Sequence, residues 1–191
     1  KFNNSTSVVK PTNEITRAFN ETGLPFDIIP NIVHYVNFGS EKIEFAQFLS
    51  ILTVLKTQKP DKIFIHCDCD RLTGDYWNRV SIVANMTKTP IIVRKIIKPL
   101  EVFGQKLSKQ SLNWHAADIT RLRILEQFGG IYLDRDVYVV KPLNNFFKYE
   151  MTLEWRLNSV IQLGVIVAHK NARFLNLWID SYRHYKPDWI W

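Results

Sequence analysis

Two carboxylates one residue apart, Asp134 and Asp136 in Asp134-Arg135-Asp136, follow the apolar run Ile131-Tyr132-Leu133. In an extended chain alternate side chains share a face, so the two carboxylates are expected to project together. Paired hard oxygen donors suit Mg²⁺ or Mn²⁺, which fills the rest of its shell with water and phosphate oxygens. A cation held there neutralises charge on a departing diphosphate. Alone, an Asp-x-Asp pair is a common feature of surface loops. Its weight comes from what precedes it.

The preceding segment, from His115 to Phe128, reads as a helix that Gly129-Gly130 ends. At about 100° per residue, Ala117, Leu122, Ile124, Leu125 and Phe128 form an apolar face. Thr120, Arg123, Glu126 and Gln127 form the opposite, wet face. Asp118 and Arg121 fall inside the apolar arc, on either side of Leu125. Unpaired charge on a buried face is costly. Two readings follow. The residues form a simple ion pair at helical spacing, or they face a polar cleft and hold a hydroxylated ligand. In the second case Asp118 accepts from hydroxyls while Arg121 donates to them or to phosphate.

The elements that must position these groups alternate along the chain. Residues 1–27 are polar and broken by Pro11, Gly23 and Pro25, the texture of a stem or linker. Beyond them, Asn31 to Phe38 is expected as a strand and Glu44 to Thr57 as a helix, with Phe45, Phe48, Leu49, Leu52 and Leu55 on one side. Lys62 to Cys67 reads as a second strand, Tyr76 to Asn85 as a helix and Ile91 to Ile97 as a third strand. This order implies an α/β domain with a mostly parallel central sheet. Ligands of such sheets bind outside the carboxyl ends of the strands. Asp68, Asp70, Asp134 and Asp136 are therefore the first residues to consider.

Composition narrows the class. The 191 residues are 46% hydrophobic and 23% charged, the balance of one globular domain able to bury a core. No apolar run approaches the roughly 20 residues a membrane helix needs. The net charge is +7, but the 25 Lys and Arg are scattered, which fits general surface charge or an anionic-ligand site better than a nucleic-acid interface. Cys67 and Cys69 are too close in sequence for an easy disulfide and too few for a zinc site, so they read as small side chains at a strand end. Overlapping sequons at Asn3 and Asn4, and others at Asn20 and Asn85, tilt the chain toward the secretory pathway.

The segment from Ala116 to Asp136 resembles the signature of the DXD-motif sugar-transferase family, which includes fungal initiating mannosyltransferases and animal Golgi α-1,4-sugar transferases. It is similar also to the clostridial glucosylating toxins. The pattern is Ala-Ser/Ala-Asp, Arg three residues on, a Leu, Gly-Gly, an aromatic and Asp-x-Asp, and every position is matched in unbroken spacing. A looser likeness runs back to Ile29 and forward to about Trp191.

The resemblance implies a GT-A type nucleotide-diphospho-sugar transferase fold spanning residues 28–191, and a retaining, metal-dependent enzyme. Such an enzyme moves a hexose or N-acetylhexosamine from a UDP-sugar or related donor to a glycan or glycolipid hydroxyl. It assigns Asp118, Arg121 and Asp134 to catalysis, and Asp118, Arg121, Tyr132 and Asp134 to donor binding. Asp136, with Asp134, would hold Mn²⁺ or Mg²⁺. Val33, His34 and Tyr35 would border the nucleotide base, although His34 by its own position reads equally as a satisfied strand-end histidine. Gln162, in the stretch from Asn158 to Ala168, would be a sugar contact on the acceptor side. One departure stands at Asn37, where relatives often carry Trp. Relatives also continue past Trp191 with a further metal contact, so a core incomplete at its C-terminus is expected. The implied setting is the Golgi lumen, with a membrane anchor outside this chain, or secretion. The rival readings are a non-catalytic sugar-nucleotide or glycan-binding module on the same fold, and a nucleotidyltransferase. Asn37-Phe38-Gly39-Ser40 lacks the Gly-rich basic phosphate loop of the latter.

Overall fold

A computed structural model describes residues 22–155 and 160–188. The sequons at Asn3, Asn4 and Asn20, and most of the polar segment 1–27, lie outside the described residues. Six strands form one sheet. In chain order they are β1 (Ile32–Asn37), β2 (Lys62–Cys67), β3 (Ile91–Lys95), β6 (Gly130–Leu133), β7 (Met151–Trp155) and β8 (Ile161–Ala168). A small hairpin, β4 (Glu101–Val102) with β5 (Gln105–Lys106), stands apart. The sheet order is β3-β2-β1-β6-β8-β7. The first four strands in that order run parallel, as the alternation of strands and helices implied. The last two pair antiparallel.

Strand alternation divides the core between the two faces. Val33 and Tyr35 of β1, Ile63 and Ile65 of β2, and Ile131 and Leu133 of β6 pack on one side. They are covered by α1 (Phe45–Thr53) and α2 (Asp75–Thr87), through Ile51, Val80 and Ala84. Val36, Tyr132, Ile166 and Ala168 face the other way, against α3 (Leu112–Phe128) and α4 (Arg173–Ser181). The result is three layers, with the sheet in the middle.

Several expectations shift. The first helix is α-helical over Phe45–Thr53, then widens into a π-helical turn at Val54–Gln58. Its buried side carries Gln47, Ser50, Ile51, Val54 and Leu55, while Phe45 is 54% exposed. The true inner face is therefore rotated from the one periodicity chose, because Tyr35 and Asn37 on β1 supply polar partners for Ser50 and Gln47. Thr120, assigned to a wet face, is buried as well. Cys67 and Cys69 form a disulfide, contrary to the sequence reading. Their Cα atoms are 5.2 Å apart, inside the normal span, because the chain bends as it leaves β2.

Gly129 and Gly130 have φ of +62° and +107°. A Cβ on Gly130 would stand 2.5 Å from the Ile32 carbonyl and 3.2 Å from His34 Nε2. This junction lets α3 turn straight into the strand that pairs with β1. His34 is fully buried beneath it, bonded to the Gly129 carbonyl through Nε2 at 3.0 Å and to His66 through Nδ1 at 3.1 Å. Burial, with nearby Arg94, pulls the His34 imidazole down to about 4, and burial, then His34 and Arg94, pulls His66 to about 3.

Two stability predictions follow from this junction. Gly130→Ala should cost about 2–4 kcal/mol in urea unfolding, combining backbone strain with a backbone clash. Gly104→Ala, at φ +78° with nothing within 4 Å, should cost less. Because the folded histidines have depressed pKa values, their contribution is complete above about pH 6.5 and fades as pH falls toward 4. His66→Gln should therefore flatten the acid side of the unfolding-midpoint curve between pH 6.5 and 4.

Candidate active site

Helix α3 carries Asp118 and Arg121 one turn apart on its sheet-facing side, and each is 6% exposed. Beneath them lies Tyr132, the one β6 side chain between Ile131 and Leu133 that alternation sends to the α3 face. The Arg121 guanidinium sits 4.6 Å from the centre of the Tyr132 ring. Its Nη2 pairs with Asp118 Oδ1 at 3.0 Å and its Nη1 with Asp134 Oδ1 at 3.2 Å. The same Nη1 donates to the Leu163 carbonyl at 2.8 Å. The Tyr132 hydroxyl also donates to Asp134 Oδ1, at 2.8 Å. The ion-pair reading of the buried charges is realised, and the pair extends to the first acid of Asp134-Arg135-Asp136.

That acidic segment is a turn. Strand β6 ends at Leu133, the Asp134 amide donates to the Gly164 carbonyl at 2.8 Å, and the Val137 amide donates to the Asp134 carbonyl at 3.1 Å. Asp134 and Asp136 therefore do not share a face through strand alternation. The turn brings both to one cleft instead, a cavity of about 460 Å³ at the carboxyl end of the parallel strands. Val36, Phe38, Gln47, Trp114 and Ala117 line it together with Arg121, Tyr132 and the acidic turn. A second cleft of about 550 Å³ shares Trp114, Arg121 and Asp134 with the first and adds Asp118, Glu154, Gln162 and Gly164. The Arg121–Asp134 pair is part of the wall between the two.

Burial pushes the Asp118 carboxyl up to about 6, with Arg121 opposing that rise and Asp134 adding to it. Burial alone would lower the Arg121 pKa, but its interactions with Tyr132, Asp118 and Asp134 outweigh it and the guanidinium is held charged more firmly than usual. Burial raises the Tyr132 phenol well above its ordinary range, so it serves as a neutral donor. Among the described residues no cluster of three or more His, Cys, Asp or Glu is placed to hold a metal. The acidic turn does supply a carboxylate on Asp136, which is exposed, and the second oxygen of Asp134. That donor set fits a hard cation whose remaining ligands come from phosphate and water.

Other expected site residues lie elsewhere. His34 and Tyr35 do not reach either cleft: His34 is bonded beneath the Gly129 junction, and the Tyr35 hydroxyl is buried 2.8 Å from Ser50 Oγ. Gln162 opens onto the second cleft. Asp68 accepts from the Gly39 amide at 3.0 Å and pairs with Lys98 at 2.8 Å, and Asp70 pairs with Lys95 on the surface. Neither joins the acidic turn. Sequence reasoning passed over Trp114 and Gln47. At Asn37, buried Gln47 completes a reciprocal amide pair, with bonds of 2.9 and 2.8 Å. The heptad-like apolar reading of α1 hid Gln47; its place four residues before Ile51 was the available signal.

A mostly parallel sheet that ends in two antiparallel-paired strands, with an acidic turn beside a buried Asp–Arg pair, is the GT-A type of fold. The sequence profile of the family described as "Glycosyltransferase sugar-binding region containing DXD motif" matches residues 51–153, and the chain belongs to that family. It is 28% identical over 174 residues to Glucan organizing enzyme 1 of Cryptococcus neoformans var. grubii serotype A, covering 81% of this chain. The chain spans 44% of the length of that relative. In fold it is similar to the PaToxG glycosyltransferase, with a TM-score of 0.55 and 19% identity, over 90% of this chain and 68% of that one. It is similar also to the bifunctional glycosyltransferase WbbM, with a TM-score of 0.53 and 10% identity, over 84% of this chain and 35% of that one.

The charge balance predicts an asymmetry between the two buried partners. The Asp118 carboxyl is raised in the fold, so its stabilising effect is complete below about pH 4 and is lost as pH rises through about 6. Asp118→Asn imitates the neutral form and should leave the thermal midpoint at pH 7 unchanged or higher. Arg121→Met strands two carboxylates and should cost about 3–5 kcal/mol. Thermal and urea unfolding of the two variants checks both signs.

Proposed function

We propose that the chain is the catalytic core of a retaining, metal-dependent glycosyltransferase that takes a hexose or N-acetylhexosamine from a nucleotide diphosphate donor, UDP-sugar first among them. The observation that carries the reading is the Arg121–Asp134 pair standing between two clefts. The first cleft, at the carboxyl ends of β1 and β6, takes the nucleotide diphosphate. The second, lined by Gln162 and Glu154, takes the acceptor hydroxyl of a glycan or glycolipid. The sugar spans the shared wall.

Asp118 and Asp134 each use one oxygen on Arg121, and their remaining oxygens accept from sugar hydroxyls. Arg121 acts here chiefly by fixing those two carboxylates, and Tyr132 fixes Asp134 from below. Asp136 and Asp134 would hold Mn²⁺ or Mg²⁺, which when bound neutralises charge on the leaving diphosphate. The acceptor attacks from the face the diphosphate leaves, which retains the anomeric configuration. A relative named for glucan makes polysaccharide acceptors the first to test.

The setting follows the same reading. A Cys67–Cys69 disulfide suits an oxidising compartment, and Asn85 of the Asn-Met-Thr sequon is exposed. Both support a Golgi or secreted protein.

The test is a panel of UDP- and GDP-sugars with Mn²⁺ or Mg²⁺, read by thermal shift and by hydrolysis. One donor should raise the midpoint and be hydrolysed slowly, and Asp136→Ala should cut that hydrolysis by about 100-fold or more. NMR of the first-formed sugar should show the donor's anomeric configuration. An inverted sugar removes the retaining mechanism, and indifference to chelation removes the metal.

A further inference from the structure

The donor cleft poses a problem of charge that Arg121 does not solve. Its guanidinium is already engaged by Asp118, Asp134 and the Leu163 carbonyl, and its side chain is 8% exposed. Two carboxylates, one buried and one partly exposed, face that one guanidinium, so the set is net negative. Asp136 and Glu44 line the same cleft and add to the negative charge. A diphosphate entering the cleft meets repulsion from this wall unless another cation faces it.

Among the residues lining the cleft, the other cation is Arg135. It occupies the middle of the acidic turn, which the bond from the Val137 amide to the Asp134 carbonyl closes. It is exposed, and no hydrogen bond or ion pair to a described residue engages it. Its two neighbours supply the carboxylates, and all three residues line the cleft that would receive the phosphates. A planar guanidinium meets two phosphate oxygens in a fork, which an ammonium does not.

We propose that Arg135 binds the donor's diphosphate directly, giving this chain a leaving-group contact of its own beside the one a metal would supply. The proposal rests on the reading of the first cleft as the nucleotide site. It divides labour between two arginines: Arg121 is a positioning residue locked into the fold, and Arg135 is the ligand-facing one. It also implies that part of the affinity for diphosphates survives chelation and is weakened by salt, since the contact is exposed.

The experiment titrates the 191-residue chain with pyrophosphate, UDP, GDP and the nucleosides uridine and guanosine, in EDTA and then in Mn²⁺. Wild type should bind at least one diphosphate in EDTA, more weakly as salt rises. Arg135→Ala should weaken diphosphate binding by about tenfold in either medium and leave nucleoside binding unchanged. Arg135→Lys should fall between them. The thermal midpoint of the free variants should match wild type, because the side chain is exposed. Diphosphate binding as tight in Arg135→Ala as in wild type overturns the role of Arg135 and leaves the donor cleft standing. So does equal weakening of nucleosides and diphosphates, or wild-type binding that vanishes in EDTA. A wild-type chain that binds no nucleotide diphosphate in either medium overturns both readings.

Discussion

A guanidinium sealed among two carboxylates, a carbonyl and an aromatic ring fixes how the rest of this molecule meets at its site. Arg121 comes from α3, Tyr132 from β6, Asp134 from the turn after it and the Leu163 carbonyl from β8. Four pieces of chain are registered by one side chain that has no deprotonated state to retreat to. Burying it is tolerable because every strong donor direction finds an acceptor. A lysine could not do this, since its point charge lacks the fork that reaches Asp118 and Asp134 at once. The burial that makes Asp118 reluctant to ionise is the same burial that gives its contact with Arg121 strength.

The sequence made this arrangement legible for a physical reason. Charged residues inside an apolar helical arc are costly, so their presence demands partners. By their place in that arc alone, Asp118 and Arg121 mark a buried polar site. The parallel sheet was likewise readable, because continuous apolar strands alternating with helices have few other ways to bury themselves. What periodicity could not supply was the chain direction after Leu133. Whether Asp134 and Asp136 continue a strand or enter a turn depends on where the backbone hydrogen bonds go: the Asp134 amide donates to the Gly164 carbonyl, thirty positions downstream, and the Val137 amide donates back to the Asp134 carbonyl. The resemblance set His34 and Tyr35 beside the nucleotide base, whereas His34 is the satisfied strand-end histidine its own position allowed and Tyr35 is bonded to Ser50. Strand alternation says which face a side chain takes, but not whether a histidine or serine on another element will meet it there.

The disulfide shows the limit of distance arguments from sequence. Two cysteines separated by one residue in a straight strand share a face, but their Cα atoms stand roughly 6.6 Å apart with side chains that run parallel rather than converge. Cys67 closes β2, however, and the bend that follows turns Cys69 back. Between them Asp68 is fastened to the Gly39 amide and to Lys98, and Lys98 reaches Asn113 at the start of α3 at 2.9 Å. Asp68, one of the acids expected at this strand end, thus braces the cleft rim beside Phe38 and Trp114 through the neighbouring Gly39 and Asn113.

The acidic turn needs a second anchor, because β6 restrains it from the upstream side only. The π-helical turn at Val54–Gln58 provides it. Widening the helix there carries Gln58 inward, where its amide donates to Asn31 Oδ1 at 2.8 Å and Asn144 Oδ1 at 3.0 Å. Its carbonyl accepts from the Leu143 amide at 2.7 Å, and Thr53 Oγ1 accepts from the Val139 amide at 3.0 Å. These bonds clamp the chain a few residues beyond Asp136 onto the first helix. A regular α-helix would have turned Gln58 to another bearing and left the Leu143 amide without this partner. The irregular turn in one helix and the acidic turn after β6 are therefore parts of one device: the strand fixes Asp134, the clamp fixes the exit, and Arg135 and Asp136 are held between them facing the cleft.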